Sequence, residues 1–298
     1  MKERYRTQLV RDLHWALSSP MMMEHPLVVE PRWGQSETAR YQGLLKKLDD
    51  RRSALARTVR NADVDRLGHY FEVLLRTWVD QVPPARLVAS NWQAYSGRHT
   101  IGEYDLLFWR DATFWHWELA LKFYLGHPAR DGQFRWFGIN PVDRLDRKWA
   151  KMRGQQLRLA DHPAGRGALK VLGVEAEPVP RAMIKGYLFE PLDPGMEVSF
   201  PADVNPLGLR GWWTHRSDFE SFRPRIELEG PLEWTILDKM RWMSPAHLEE
   251  GERLFSFDAL ASVLRRDRAT MVAGLVARKE GHREVTRGVI VPDGWPFR

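Results

Sequence analysis

Apolar and polar positions alternate most strongly over residues 101–125, IGEYDLLFWRDATFWHWELALKFYL. Read as strand, turn and strand, the second half of this stretch places Trp115, Trp117, Leu119, Leu121, Phe123 and Leu125 on one face and Phe114, His116, Glu118, Ala120, Lys122 and Tyr124 on the other. Large apolar side chains on both faces predict a strand in the middle of a sheet, covered on each side. A His, a Glu and a Lys in such a strand are unfavourable unless they are paired or bound to metal. In the first half the same alternation puts Glu103 and Asp105 on one face with Ile101 and Leu107, and Arg110 to Thr113 is short enough for a hairpin return. Asp105 and Glu118 are thus expected side by side across two antiparallel strands.

Helical periodicity precedes this hairpin. Residues 5–17 predict a first helix, stopped by Ser18-Ser19-Pro20, and residues 36–60 a second helical stretch with Leu44, Leu45, Leu48, Leu55 and Val59 on one stripe. The cations of that stretch, Lys46, Lys47, Arg51, Arg52, Arg57 and Arg60, suit either phosphates or a solvated helix face. Residues 64–80 predict a third helix, with Asp65, His69, Glu72 and Arg76 on a polar stripe opposite the apolar one. Pro83-Pro84 ends it, and LVASNWQAYS reads as the first core strand.

Beyond the hairpin, HPARDGQFRWFGINP reads as an aromatic loop and residues 142–159 as a helix carrying Gln156 on its apolar stripe, with Lys148, Lys151 and Arg158 beside it. A short helical piece follows within 162–173, RAMIKGYLFEPL is expected to be a strand, and residues 193–211 a long loop. The tandem tryptophans of RGWW suit base stacking or packing. RIELEG and WTILDKMRWMSP read as strand-like, Ser256 caps a helix FDALASVLRRD, and TMVAGLVA and RGVIVPDGW as closing strands. The expected organisation is an α/β core over residues 63–192, a helical N-terminal region over 1–62 and a β-rich extension over 193–298 packed on the core.

Composition narrows the function. With no cysteine, disulfides and thiolate metal sites are excluded, and a cytoplasmic address is favoured. No apolar run of about 18 residues occurs and the first residues lack a signal-peptide core, so neither secretion nor membrane insertion is expected. A net charge of +6 and a pI near 9.6 suit a polyanionic partner such as DNA or RNA. GRHTIGE has phosphate-loop glycine spacing but Glu103 where lysine is needed. Dinucleotide-fingerprint, zinc-protease and hydrolase-elbow motifs are absent, and of ten scattered histidines only His116 lies beside the candidate site.

Two carboxylates brought together in a partly buried cleft either share a proton or hold a divalent cation, and oxygen donors suit Mg2+ or Mn2+. A nearby lysine would stabilise charge on a phosphate or help to deprotonate a water. An acidic residue closing one strand, then a glutamate and a lysine on the next, resembles the PD-(D/E)XK (restriction-endonuclease-like) superfamily. GEYDLLFW, HWELALKFYLG, QQLRLA, RGWW and RGVIVPDGWP more narrowly resemble the bacterial family called domain of unknown function 1853, over most of the chain. The superfamily resemblance implies a mixed sheet flanked by helices and a nuclease in which Asp105 and Glu118 bind Mg2+ or Mn2+. It also implies Glu72, on the preceding helix, as a further ligand and Gln156, or the neighbouring Gln155, as a residue facing the site; Glu72 pairing with Arg76, and Gln156 as a satisfied core amide, are the structural alternatives. The usual lysine position, two residues after the glutamate, is Ala120; Lys122 lies two residues further, about 7 Å along the strand, within reach of a long side chain. Phosphodiester hydrolysis, on DNA in preference to RNA, is the expectation the resemblance gives. The competing expectations are a nuclease-derived binding or interaction module without catalysis, and a buried structural pair of Glu118 with Lys122 in an unrelated enzyme.

Overall fold

A computed structural model describes residues 5–248, 251–264, 267–279 and 281–297. Helix α1 (Gln8–Ser18) starts three residues later than its periodicity predicts, because Thr7 caps it by accepting from the Val10 N–H. The single helical stretch expected over 36–60 is instead three helices, α2 (Trp33–Arg40), α3 (Gln42–Leu48) and α4 (Ala54–Asn61). The break after α3 has a clear cause. Asp49 turns back to accept from the backbone N–H groups of Arg6 and Thr7 and from the Thr7 hydroxyl, tying the α3 end to the start of α1. Ser53 then restarts the chain as the cap of α4. Helix α5 (Leu67–Gln81) buries Phe71, Leu74, Leu75 and Trp78 against the sheet.

Three strands follow as a meander: β1 (Arg86–Ser96), β2 (His99–Arg110) and β3 (Thr113–Pro128). Asp111 and Ala112 close the second hairpin with φ of 50° and 61°, the left-handed pair that a two-residue turn with the twist of its strands requires. The stretch expected to be an aromatic loop contains a strand, β4 (Phe134–Gly138), paired with the far end of β3. Its alternation is only five residues long, and Trp136 is held from outside by its indole N–H to the Ser199 carbonyl. The helix expected over 142–159 ends early as α6 (Leu145–Gly154), and the chain continues as a 3-10 turn over Gln156–Asp161.

After α7 (Pro163–Val171), β5 (Val179–Pro191) runs parallel to β3 along eleven paired positions, followed in the sheet by β6 (Arg210–His215). Lys122 is paired with Gly186, where φ is 134° and an added Cβ would stand 1.6 Å from the Lys122 carbonyl oxygen, so β3 and β5 touch backbone to backbone there. RIELEG is not strand-like: Pro224 opens α8 (Arg223–Ile226), and the Glu227 carboxylate accepts from Leu232 N–H and the Trp234 indole to close a turn. The expected strand after it is limited to β7 (Glu233–Ile236). Ser256 does cap α9 (Phe257–Val263); Arg265 and Arg266 of the expected helix lie outside the described residues. Strands β8 (Thr270–Arg278) and β9 (Gly281–Val291) close the chain.

The result is a mixed α/β architecture with one large sheet, ordered β1-β2-β3-β5-β6-β9-β8-β7, β4 sharing the β2 side of β3. Strands β3, β5, β6 and β9 are mutually parallel and the outer pairs antiparallel. The main hydrophobic cluster draws on all three expected segments, from Leu13 and Phe71 through Leu188 to Met243 and Val291. Both tryptophans of RGWW are buried packing residues, Trp213 donating its indole N–H to the Gly126 carbonyl and Trp212 to Thr286. Among the described residues no helix is long and apolar enough to cross a membrane.

Candidate active site

The central sheet forks. Strand β2 pairs with β3 only as far as Leu106 opposite Trp117, and β4 takes over the same edge of β3 at Tyr124 opposite Gly138. Between these points β3 has no strand neighbour on that side. Asp105 fills the first vacancy: its Oδ2 accepts from the Leu119 N–H at 2.8 Å, replacing a ladder bond. Side-chain alternation in β2 slips here, since Tyr104 and Leu107 pack into one hydrophobic cluster while Leu106 and Phe108 pack into another. Strict alternation from Ile101 to Leu107 therefore does not describe this strand.

Glu118, next on β3 after Trp117, is fully buried and held by both oxygens. Its Oε1 lies 2.8 Å from His116 Nε2, and its Oε2 accepts from Gln156 Nε2 at 2.6 Å. Gln156 is brought in by the 3-10 turn after α6, and its own oxygen accepts from Lys148 Nζ of α6 at 3.1 Å. The Asp105 and Glu118 carboxyls are near enough for each to act on the titration of the other. Burial, and then the neighbouring Glu118, push Asp105 up to about 7. Burial pushes Glu118 up to about 8, against the pull of Lys148. His116 goes the other way: burial drives it down to about 4, so its ring is neutral, packed edge-on at 4.7 Å by Tyr104. Near neutral pH the carboxyl pair therefore retains a proton.

Lys122 is half-buried but does not meet Glu118. Its Nζ donates to Asp143 Oδ2 at 2.7 Å, and the Tyr124 hydroxyl donates to the other oxygen of Asp143. Glu72 lies toward Asn91 of β1 and Asp105 of β2 rather than pairing with Arg76, and burial followed by the charge of Asp105 raises its pKa. Glu72 and Lys122 line an open cleft of about 780 Å³ together with Arg66, His69, Asp143 and Trp242. Its formal charges balance, Arg66, Lys122 and Lys239 against Asp65, Glu72 and Asp143. The residue that sequence reasoning underrated is Lys148, noted only as a flanking cation. It carries the amine that acts on Asp105 and Glu118, and burial lowers its pKa. No spacing in the sequence marks it, because α6 ends between Lys148 and Gln156 and their separation is not a helical repeat.

A family model matches residues 11–291. The chain belongs to the domain of unknown function family DUF1853. Nothing among curated proteins or solved structures matches it. In this DUF1853 chain the structure brings Asp105, Glu118 and Gln156 together, adds Lys148 and His116, sets Glu72 beside Asp105, and ties Lys122 to Asp143. Among the described residues no group of three or more His, Asp or Glu side chains is already arranged around one point as for a metal ion. The donor chemistry nevertheless fits a hard divalent cation: two abutting carboxylates whose mutual repulsion a cation would relieve, and a third carboxylate near them.

Proposed function

We propose that this chain is a metal-dependent nuclease of restriction-endonuclease-like fold that hydrolyses phosphodiester bonds, DNA before RNA, in the cytoplasm. The observation that carries the reading is the meeting of Asp105 and Glu118 at the fork of the sheet, with the Lys148 amine beside both. Asp105 and Glu118, with Glu72 beyond them, would hold Mg2+ or Mn2+, which supplies Lewis-acid polarisation of a phosphoryl oxygen and an acidified water. His116 and Gln156 hold the two Glu118 oxygens and so fix its orientation. Lys148 offsets negative charge on a phosphate, and its lowered pKa brings it nearer the form that takes a proton from water. It thus occupies the role expected of Lys122, with Ala120 leaving the usual position without an amine.

The test is cleavage of DNA and RNA strands with Mg2+, with Mn2+ and with chelator. Asp105→Asn and Glu118→Gln are expected to abolish divalent-dependent turnover while keeping the fold, and Lys148→Met to reduce it about a hundredfold. Lys122→Met should lose less than about tenfold. Cleavage that persists in both carboxylate variants rules the site out.

One observation favours a second reading, a binding module derived from a nuclease. Lys122 is occupied by Asp143 and the usual lysine position is an alanine. Nucleic-acid affinity unaffected by chelator, with no turnover under any metal, selects that reading.

A further inference from the structure

A cavity of about 600 Å³ lies on the other side of the short 3-10 turn Lys239–Arg241 from the cleft. Lys239 and Trp242 line the cleft, whereas Met240 and Arg241 line the cavity, and α5 contributes His69 to one and Tyr70 to the other. The two concavities share a wall. Their charges differ: the cleft is balanced, while of the four arginines lining the cavity Arg6 pairs with Asp49 and Arg241 with Glu252, which leaves Arg51 and Arg60 facing it beside Asp12 and Asp50. Asp12 is buried and spoken for by Gln8, Ser244 and Tyr70, and Asp50 bonds the Arg52 N–H.

Around the break between α3 and α4, guanidinium groups are set without counter-charges. Arg60 donates to the Arg51 carbonyl and Arg57 to the Arg52 carbonyl; among the described residues no carboxylate pairs with Arg51, Arg52, Arg57 or Arg60, all of them exposed. Carbonyl contacts orient an arginine without neutralising it, and neighbouring guanidiniums repel one another until an anion joins them. Beyond the shared wall, Trp242 is half-buried, fixed by its indole N–H to the Leu237 carbonyl and packed edge-on to Phe123 at 5.5 Å. It offers an aromatic face inside the cleft.

We infer that the Arg51–Arg60 turn and its cavity form a track for the phosphodiester backbone of a single nucleic-acid strand, which crosses the Lys239–Arg241 turn and enters the cleft over Trp242. The cleft volume is that of a small-ligand site and admits a few nucleotides of one strand, not a duplex. Stacking on a fixed aromatic, with arginines along the backbone, is the usual way such strands are held. The inference rests on the nucleic-acid reading above but not on catalysis.

The experiment measures binding of a labelled single strand of about twelve nucleotides, in chelator, across a salt series by fluorescence anisotropy. The double variant Arg51→Ala, Arg60→Ala is expected to bind roughly tenfold more weakly at low salt, and its log–log salt slope to fall by about 1.4, near 0.7 for each lost phosphate contact. Lys170→Ala, an exposed cation on α7, should change neither, thermal melting of both variants should match the parent, and unlabelled duplex should compete at least about tenfold less well than single strand. Unchanged affinity and slope in the double variant, equal loss in Lys170→Ala, or no binding by the parent protein overturns the track. A parent that binds with these properties yet never cleaves removes the nuclease reading and leaves the track standing; a parent that cleaves while the double variant binds unchanged does the reverse.

Discussion

Glu118→Gln should make the cation-free protein more stable at high pH and leave it almost unchanged at low pH. The sign follows from the direction of the shifts. Folding raises Glu118 from 4.5 to about 8 and Asp105 from 3.8 to about 7, so the folded state holds protons the unfolded chain releases. Stability from this pair is therefore complete below pH values near 4 and is lost as the pH rises through 7 and 8. At about 1.36 kcal/mol per unit, the Glu118 shift alone sets a ceiling of roughly 5 kcal/mol on the loss. Glutamine does not titrate, and it is nearly the same shape as glutamate, with one terminal atom toward Gln156 Nε2 and the other toward His116 Nε2. Even half the ceiling, a little over 2 kcal/mol, raises Tm by roughly 3–4 °C, at about 2.1 cal/mol/K of unfolding entropy per residue over the 298 residues. Melting followed by circular dichroism in chelator at about pH 5 and about pH 8.5 reads it directly. A gap between variant and parent no larger at the higher pH refutes the reasoning.

Two other substitutions test the frame that carries the site. Glu37 is almost fully buried, takes both Arg110 terminal nitrogens at 2.8 Å and also accepts from the Trp78 indole. Glu37→Ala should cost about 3–5 kcal/mol in urea unfolding by stranding Arg110, and Glu37→Leu with Arg110→Leu should recover most of it. Gly186→Ala drives a methyl into the Lys122 carbonyl and is expected to cost more than about 3 kcal/mol, seen as a large fall in Tm or loss of soluble protein.

Where periodicity is long the sequence reading and the fold agree: α5, β1, β2, β3 and β5 lie within a few residues of their expected bounds. The nearness of Asp105 to Glu118 is also legible, because the turn fixes the hairpin register as far as Leu106 opposite Trp117, one residue short of both. What failed was set by contacts distant in sequence. Nothing local in residues 36–60 announces that Asp49 will bond Arg6 and Thr7, yet that contact breaks the helix. Strand β4 depends on an edge of β3 that exists only because β2 departs from it. Along its own strand Lys122 reads as an amine for a phosphate or a water beside Glu118, while the side chain that engages it, Asp143, arrives from beyond β4. Conversely, Lys148 reaches the carboxylates through a helix end and a 3-10 turn, a geometry that has no period to detect.

The bond from Asp105 to the Leu119 amide has a consequence for the side chain's length. One oxygen is committed to the main chain of β3, so the direction of the other is dictated by that backbone and not by the torsions of Asp105. A glutamate at this position, longer by one methylene, would either give up the amide or swing its outer oxygen away from Glu118. Chemical equivalence of the two acids thus ends at residue 105, where shape alone decides between them.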